Sequence, residues 1–192
     1  GLIAYFDAET MTNDMSNPDK WYARNDPKYY IQLNGLNYST NGWVTADDDN
    51  LPCLSFTGDS YGVMHCIDNN GVDSEFAPMS SVTNSSNGHA IEIVFKSRCI
   101  GELLSDVMTC RNDTSAATGG YTLRYDEAKI TSLDGTVSSR TMLEDEWTHV
   151  TFVLDRNIRK LNVGENSVSN LTLDDLNPTA TMRIYINGCL SA

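Results

Sequence analysis

Two stretches decide the fold class of this chain: EWTHVTFVLD at residues 146–155 and TMRIYING at residues 181–188. In both, apolar residues recur at every second position, as at Val150, Phe152 and Leu154 in the first. A period of two is typical of strands with one buried face, because successive side chains in a strand point to opposite faces of the sheet. Both stretches are therefore predicted to be strands.

The second stretch ends in Asn187-Gly188, and apolar Cys189 and Leu190 follow at once. Asn-Gly readily adopts the positive φ angles of a two-residue hairpin turn. The sequence therefore predicts a β-hairpin at this point.

The pattern W-x-H-V-x-F-x-x-D followed by I-Y-I-N-G resembles the concanavalin A-like lectin and laminin G-like superfamily. Three other segments agree with this resemblance: residues 2–6 look like the opening strand, 54–58 like the next core strand, and 91–96 like the strand that family members often write as "hydrophobic-E/S-hydrophobic-x-F/W-hydrophobic-K/R". The resemblance implies an all-β fold, a two-sheet antiparallel jelly-roll sandwich with long irregular loops.

Composition bounds the size and the partners of the chain. At 192 residues it fits a single β domain spanning residues 1–192. There are 13 Lys and Arg against 26 Asp and Glu, a net charge of -13, which disfavours nucleic acid and anionic membranes as partners. No apolar run approaches the roughly 18 residues that span a bilayer, so no membrane insertion is expected.

The ends of the sequence suggest a piece of a longer polypeptide. The sequence does not begin with Met, and it stops at Ser191-Ala192, directly after the predicted turn. Relatives implied by the resemblance continue with one or more further strands. We therefore expect a fragment that lacks the last strands and belongs to a larger assembly.

An enzyme is not expected. Glycosidases that share the implied fold place two or three carboxylates on one face of a strand, in E-x-D-x-x-E or E-x-D-x-E patterns. The chain lacks that pattern, since Glu144-Asp145-Glu146 are neighbours in a turn and Glu92 is the only acid in its strand. No nucleophile elbow, zinc-binding His pair or phosphate-binding glycine loop occurs either.

Calcium is a candidate cofactor. The run from Asp68 through Asn70 to Asp73 gathers oxygen ligands on one loop, and Asp47-Asp48-Asp49-Asn50 gathers more. Calcium prefers six to eight oxygen ligands. Asp68, Asn70 and Asp73 are therefore the predicted metal ligands, although short acidic runs are also typical of solvated turns.

Aromatic residues in polar segments are the candidate ligand-binding residues, because a flat sugar face stacks on a π surface. Trp21 and Tyr22 lie in the polar segment 7–26, predicted as a loop, and Tyr61 is predicted at a strand edge. Trp43, beside Asn41-Gly42, is the first choice for this role. The alternative is that Trp43 fills the core, as large aromatics in β folds usually do.

Two functions remain open. The first is a non-catalytic recognition module that binds a glycan or a protein, within an extracellular, cell-surface or virion protein. The second is a structural jelly-roll module of a phage tail or head fibre assembly, with no ligand of its own.

Overall fold

The computed structural model describes residues 2–46, 49–57, 59–76, 88–96, 105–109, 122–126, 129–132, 145–157 and 179–191. Within these ranges the chain forms strands and turns and no helix, so none of them holds an apolar helix long enough to cross a membrane. The strands are β1 Lys20–Tyr22, β2 Tyr29–Asn34, β3 Gly42–Thr45, β4 Pro52–Ser55, β5 Tyr61–Ile67, β6 Asp73–Glu75, β7 Gly88–Lys96, β8 Ser105–Thr109, β9 Thr122–Asp126, β10 Lys129–Ser132, β11 Trp147–Asn157, β12 Thr179–Ile186 and β13 Cys189–Leu190. Each strand pair is antiparallel, and the described part of the chain is all-β, as predicted.

The chain divides into two compact units, Gly1–Ala77 and Pro78–Ala192. The first unit contains a four-stranded sheet in the order β1-β2-β5-β6 and the hairpin β3-β4. Alternation in β2 directs Leu33 to one face of the sheet and Tyr30 to the other, and both are buried. Trp43 of the hairpin is buried as well, in edge-to-face contact with Trp21 of β1.

The second unit contains a four-stranded sheet in the order β13-β12-β11-β7 and a three-stranded sheet in the order β10-β9-β8. Among the described residues of this unit, the buried apolar side chains lie where β11 and β12 pair, with Val150 opposite Ile186 and Phe152 opposite Ile184. Phe152 is completely inaccessible to solvent. The period of two in the deciding stretches therefore does mark the buried face of a sheet.

The predicted hairpin is present between β12 and β13. Asn187 and Gly188 have φ angles of 50° and 77°, the positive values that this type of turn requires. The backbone N–H of His149 donates to the Asn187 side-chain oxygen at 2.9 Å, which ties the turn to β11.

Three strand assignments differ from the sequence-based expectation. Residues 2–6 form no strand, because the side-chain amide of Asn25 binds their backbone, accepting from the Tyr5 N–H at 2.7 Å and donating to the Ile3 carbonyl at 3.0 Å. The strand expected at 54–58 is β4, which ends at Ser55. The segment 7–26, expected to be a loop throughout, contains β1, since Trp21 pairs with Ile31.

Candidate functional site

Four side chains form a row across one face of the sheet β1-β2-β5-β6. Tyr22 pairs with Tyr30, Tyr30 pairs with His65, and His65 pairs with Glu75. Directly paired residues of an antiparallel sheet project from the same face, so the row crosses all four strands. We call this row, together with Lys20 and Asp73 beside it, the tyrosine-histidine row.

The rings of the tyrosine-histidine row contact one another. The Tyr22 and Tyr30 ring centroids are 5.6 Å apart at an interplanar angle of 39°, and Tyr30 stacks on His65 at 5.0 Å and 21°. The Lys20 Nζ atom lies 4.9 Å from the centroid of the Tyr30 ring, a cation–π distance. Tyr30 is enclosed by these neighbours and is only 2 % exposed.

Asp73 anchors the polar end of the row. The Tyr30 hydroxyl donates to Asp73 Oδ2, and Asp73 Oδ1 lies 3.0 Å from His65 Nδ1. The hydrogen bond to Asp73, with burial, raises the pKa of Tyr30 to about 12. The same bond lowers the pKa of Asp73, so the carboxylate is held in its charged form.

Two predicted ligand-binding residues lie on the face of the tyrosine-histidine row and are open to solvent. Tyr22, at the end of the row, is 41 % exposed, and Tyr61 is 58 % exposed. Tyr61 precedes His65 by four positions in β5, an even number that keeps both on one face. At the usual rise of a strand, about 13 Å separates them along β5. The strip between Tyr22 and Tyr61 combines aromatic rings with hydrogen-bonding groups.

The other two predicted ligand-binding residues, Trp21 and Trp43, lie on the opposite face and pack together. Their ring centroids are 5.2 Å apart at 77°, and Trp43 is 6 % exposed. Each indole N–H donates to a backbone carbonyl, Trp21 to Asp7 at 2.7 Å and Trp43 to Pro18 at 2.8 Å. These contacts favour the core interpretation of Trp43 over a sugar-stacking role.

The predicted calcium ligands are divided between two environments. Asp68 Oδ1 accepts the backbone N–H groups of Asn70 and Val72, both at 2.8 Å, and the Asn70 side-chain amide donates to Asp68 Oδ2 at 3.3 Å. These bonds, above all that from Val72, lower the pKa of Asp68. Asp73 belongs instead to the tyrosine-histidine row.

In the turn at Asp68, the carboxylate oxygens already accept hydrogen bonds, and a calcium ion would need the same lone pairs. Within the described part of the chain, no group of three or more His, Cys, Asp and Glu side chains is arranged to hold a metal. Calcium binding therefore stays a prediction.

The ligand-binding residues chosen from the sequence did not include the centre of the site, Tyr30 and His65. Alternation from Tyr61 through Val63 to His65 could have placed these β5 residues on one face. The neighbours of His65 depend on how β2 and β5 pair, which no local pattern specifies.

Comparison with protein-family models, with curated proteins and with solved structures finds no match to this chain. Its function is therefore inferred from the residues of the site and their chemistry.

Proposed function

We propose that the chain is a non-catalytic recognition module that binds a glycan on the face carrying Tyr22, Tyr61 and the tyrosine-histidine row. We further propose that it folds as a laminin G-like, concanavalin A-like jelly roll within a larger secreted, cell-surface or virion protein. The antiparallel, all-β character of the described residues supports the second proposal.

One observation carries the glycan proposal: the half-exposed Tyr22 ring lies beside hydrogen-bonding groups that are already held in place. The ring of Tyr30 is in contact with both Tyr22 and His65, and Asp73 bonds Tyr30 and His65. A ligand that stacks on Tyr22 therefore meets donors and acceptors that are already ordered in the folded chain. Little further side-chain entropy is lost when the ligand binds. Pyranose rings combine an apolar C–H face with a rim of hydroxyls and fit such a surface.

The carboxylates of the face do not support hydrolysis. Asp73 and Glu75 project from the same side of β6, so they are the pair of carboxylates on this face that a glycosidase mechanism would have to use. A glycosidase needs one acid that stays protonated, usually because its pKa is raised by an apolar environment. The hydrogen bond from Tyr30 lowers the pKa of Asp73 instead, and all three residues of β6 are exposed to water.

A glycan array probed with the purified chain tests the proposal. We expect reproducible binding to a subset of glycans, and we expect Tyr22→Ala to abolish it while the circular dichroism spectrum is retained. Phe56→Ala is the matched control, since Phe56 is an aromatic residue of similar exposure to Tyr61 outside the sheet. Its binding should equal that of the unmodified chain.

Two results would contradict the proposal. Binding that survives Tyr22→Ala and Tyr61→Ala together would remove the site from this face. Silence across the array, with tight association to a partner chain, would favour the structural alternative, a jelly-roll module of a phage tail or head fibre assembly.

A further inference from the structure

The charges around the tyrosine-histidine row select among glycans, and we infer that its ligand is an uncharged saccharide rather than a sialylated or sulfated one. The inference rests on the proposed function and narrows it to a ligand class. It depends on the positions of Lys20, Asp73 and Glu75, and on Asp19, whose carboxylate accepts a hydrogen bond from the Gln32 side chain.

Carboxylates outnumber amines at this face. Asp73 and Glu75 lie at one end of the row, and Asp19 Oδ2 accepts from Gln32 Nε2 at 2.9 Å at the opposite, β1 side. Gln32 pairs directly with Lys20, so both share the face with Tyr22. The lysine that precedes β2, Lys28, lies over the ring of Tyr29, which faces away from the row, and is paired with Asp26 at 3.1 Å.

Lys20 is poorly placed to receive an anion. Its Nζ atom lies 4.9 Å from the Tyr30 ring centroid, and its charge acts on Asp73, contributing to the lowered pKa of that carboxylate. A sulfate or sialic acid carboxylate would compete with Asp73 for Lys20 while approaching Glu75. The chain's net charge of -13 adds repulsion at long range.

Uncharged hydroxyls meet no such conflict. A hydroxyl both donates and accepts, so it can donate to Glu75 or Asp73 and accept from Lys20 without displacing any contact of the row. A cationic sugar gains less than the acidic composition suggests, because Asp73 already bonds Tyr30 and His65. The face therefore offers hydrogen bonds and a stacking surface to an uncharged ligand, while its excess of carboxylates over amines opposes an anionic one.

Matched sets of immobilised oligosaccharides, identical except for one added sulfate, sialic acid or amino group, test the inference. We expect the uncharged member to bind at least about tenfold more tightly than its anionic counterpart. The affinity of the uncharged member should change less than about twofold between low and high NaCl, because salt screens charge pairs and not stacking.

Two charge variants show whether the preference for the uncharged member comes from the carboxylates of this face or from the net charge of the whole chain. Glu75→Gln removes one carboxylate from the face, and we expect it to narrow the preference for the uncharged member severalfold. Glu146→Gln makes the same change in net charge on an exposed residue of the other unit and should leave the preference unchanged.

The outcomes are distinguishable. Equal or tighter binding of the anionic member, or an equal effect of the two Glu→Gln variants, overturns this inference and leaves glycan binding standing. Preference for an amine-bearing member over the uncharged one overturns it as well. Silence across charged and uncharged members together overturns the proposed function, and this inference with it.

Discussion

Substitution of Trp43 distinguishes a core role from a sugar-binding role for this residue. The two roles predict different losses of unfolding free energy when the side chain is removed. The structure buries the ring to 6 % exposure, in edge-to-face contact with Trp21, and its indole N–H donates to the Pro18 carbonyl at 2.8 Å. The backbone N–H of Trp43 is also held, by Asn13 Oδ1 at 2.7 Å. Trp43→Ala and Trp43→Phe probe these contacts in turn.

The magnitudes follow from what each variant removes. Trp43→Ala deletes a nearly buried bicyclic ring and leaves a cavity, so we expect a loss of about 3–5 kcal/mol in the free energy of unfolding. Trp43→Phe keeps an aromatic ring but leaves the Pro18 carbonyl without its donor, which costs about 1–3 kcal/mol. A half-exposed sugar platform would tolerate either change to within about 0.5 kcal/mol.

Urea denaturation followed by far-ultraviolet circular dichroism measures both variants without relying on tryptophan fluorescence. Phe56→Ala, at an exposed aromatic position, is the control and should stay within about 0.5 kcal/mol of the unmodified chain. The core assignment is refuted if Trp43→Ala lowers the unfolding free energy by less than about 1 kcal/mol and yet abolishes glycan binding.

Three further predictions concern other parts of the chain. Phe152→Ala should lower the free energy of unfolding by about 3–5 kcal/mol, and Val94→Ala, at an exposed position of β7, by less than about 1 kcal/mol, both measured by urea denaturation. The hydrogen bond from Tyr30 to Asp73, with burial, raises the pKa of Tyr30 to about 12 in the folded chain. The stabilisation that comes with this shift is complete below the unfolded pKa of about 10 and is lost as pH rises through 12. Tyr30→Phe should therefore reduce the fall in melting temperature over that range, and an unchanged slope would contradict the assignment. Asn187→Ala should cost about 1–2 kcal/mol more than Asn187→Gly, because both lose the side-chain bond to β11 but only alanine is strained at a φ of 50°; equal thermal stability of the two variants would argue against this turn geometry.

The strands of the second unit were the most predictable part of the fold. The alternation at Val150, Phe152 and Leu154 and the Asn187-Gly188 turn are local patterns, and β11, β12 and β13 follow from them. Strand β7 was predicted at residues 91–96, and it begins three residues earlier, at Gly88. Strand ends are less predictable because they depend on the length of the partner, here β11.

The strands of the first unit were less predictable, because side chains there form hydrogen bonds with backbone groups that strand pairing would otherwise use. The Asn25 amide occupies the backbone groups of Ile3 and Tyr5 that an opening strand would use. Strand β1 has only three residues in a polar segment, too few to show a period, and it forms because β2 pairs with it. Neither of these long-range contacts can be predicted from the strand propensities of the residues.

The sequence by itself determined the all-β character of the described residues and the aromatic residues worth testing, since period and turn chemistry are properties of neighbouring residues. Only the tertiary structure decided that Tyr22 and Tyr61 share an open face while Trp21 and Trp43 pack on the other. It also joined Tyr30 to Asp73, 43 residues away in sequence. The physical reason is that a strand's own pattern specifies which side chains project together, whereas strand register specifies which of them meet across the sheet.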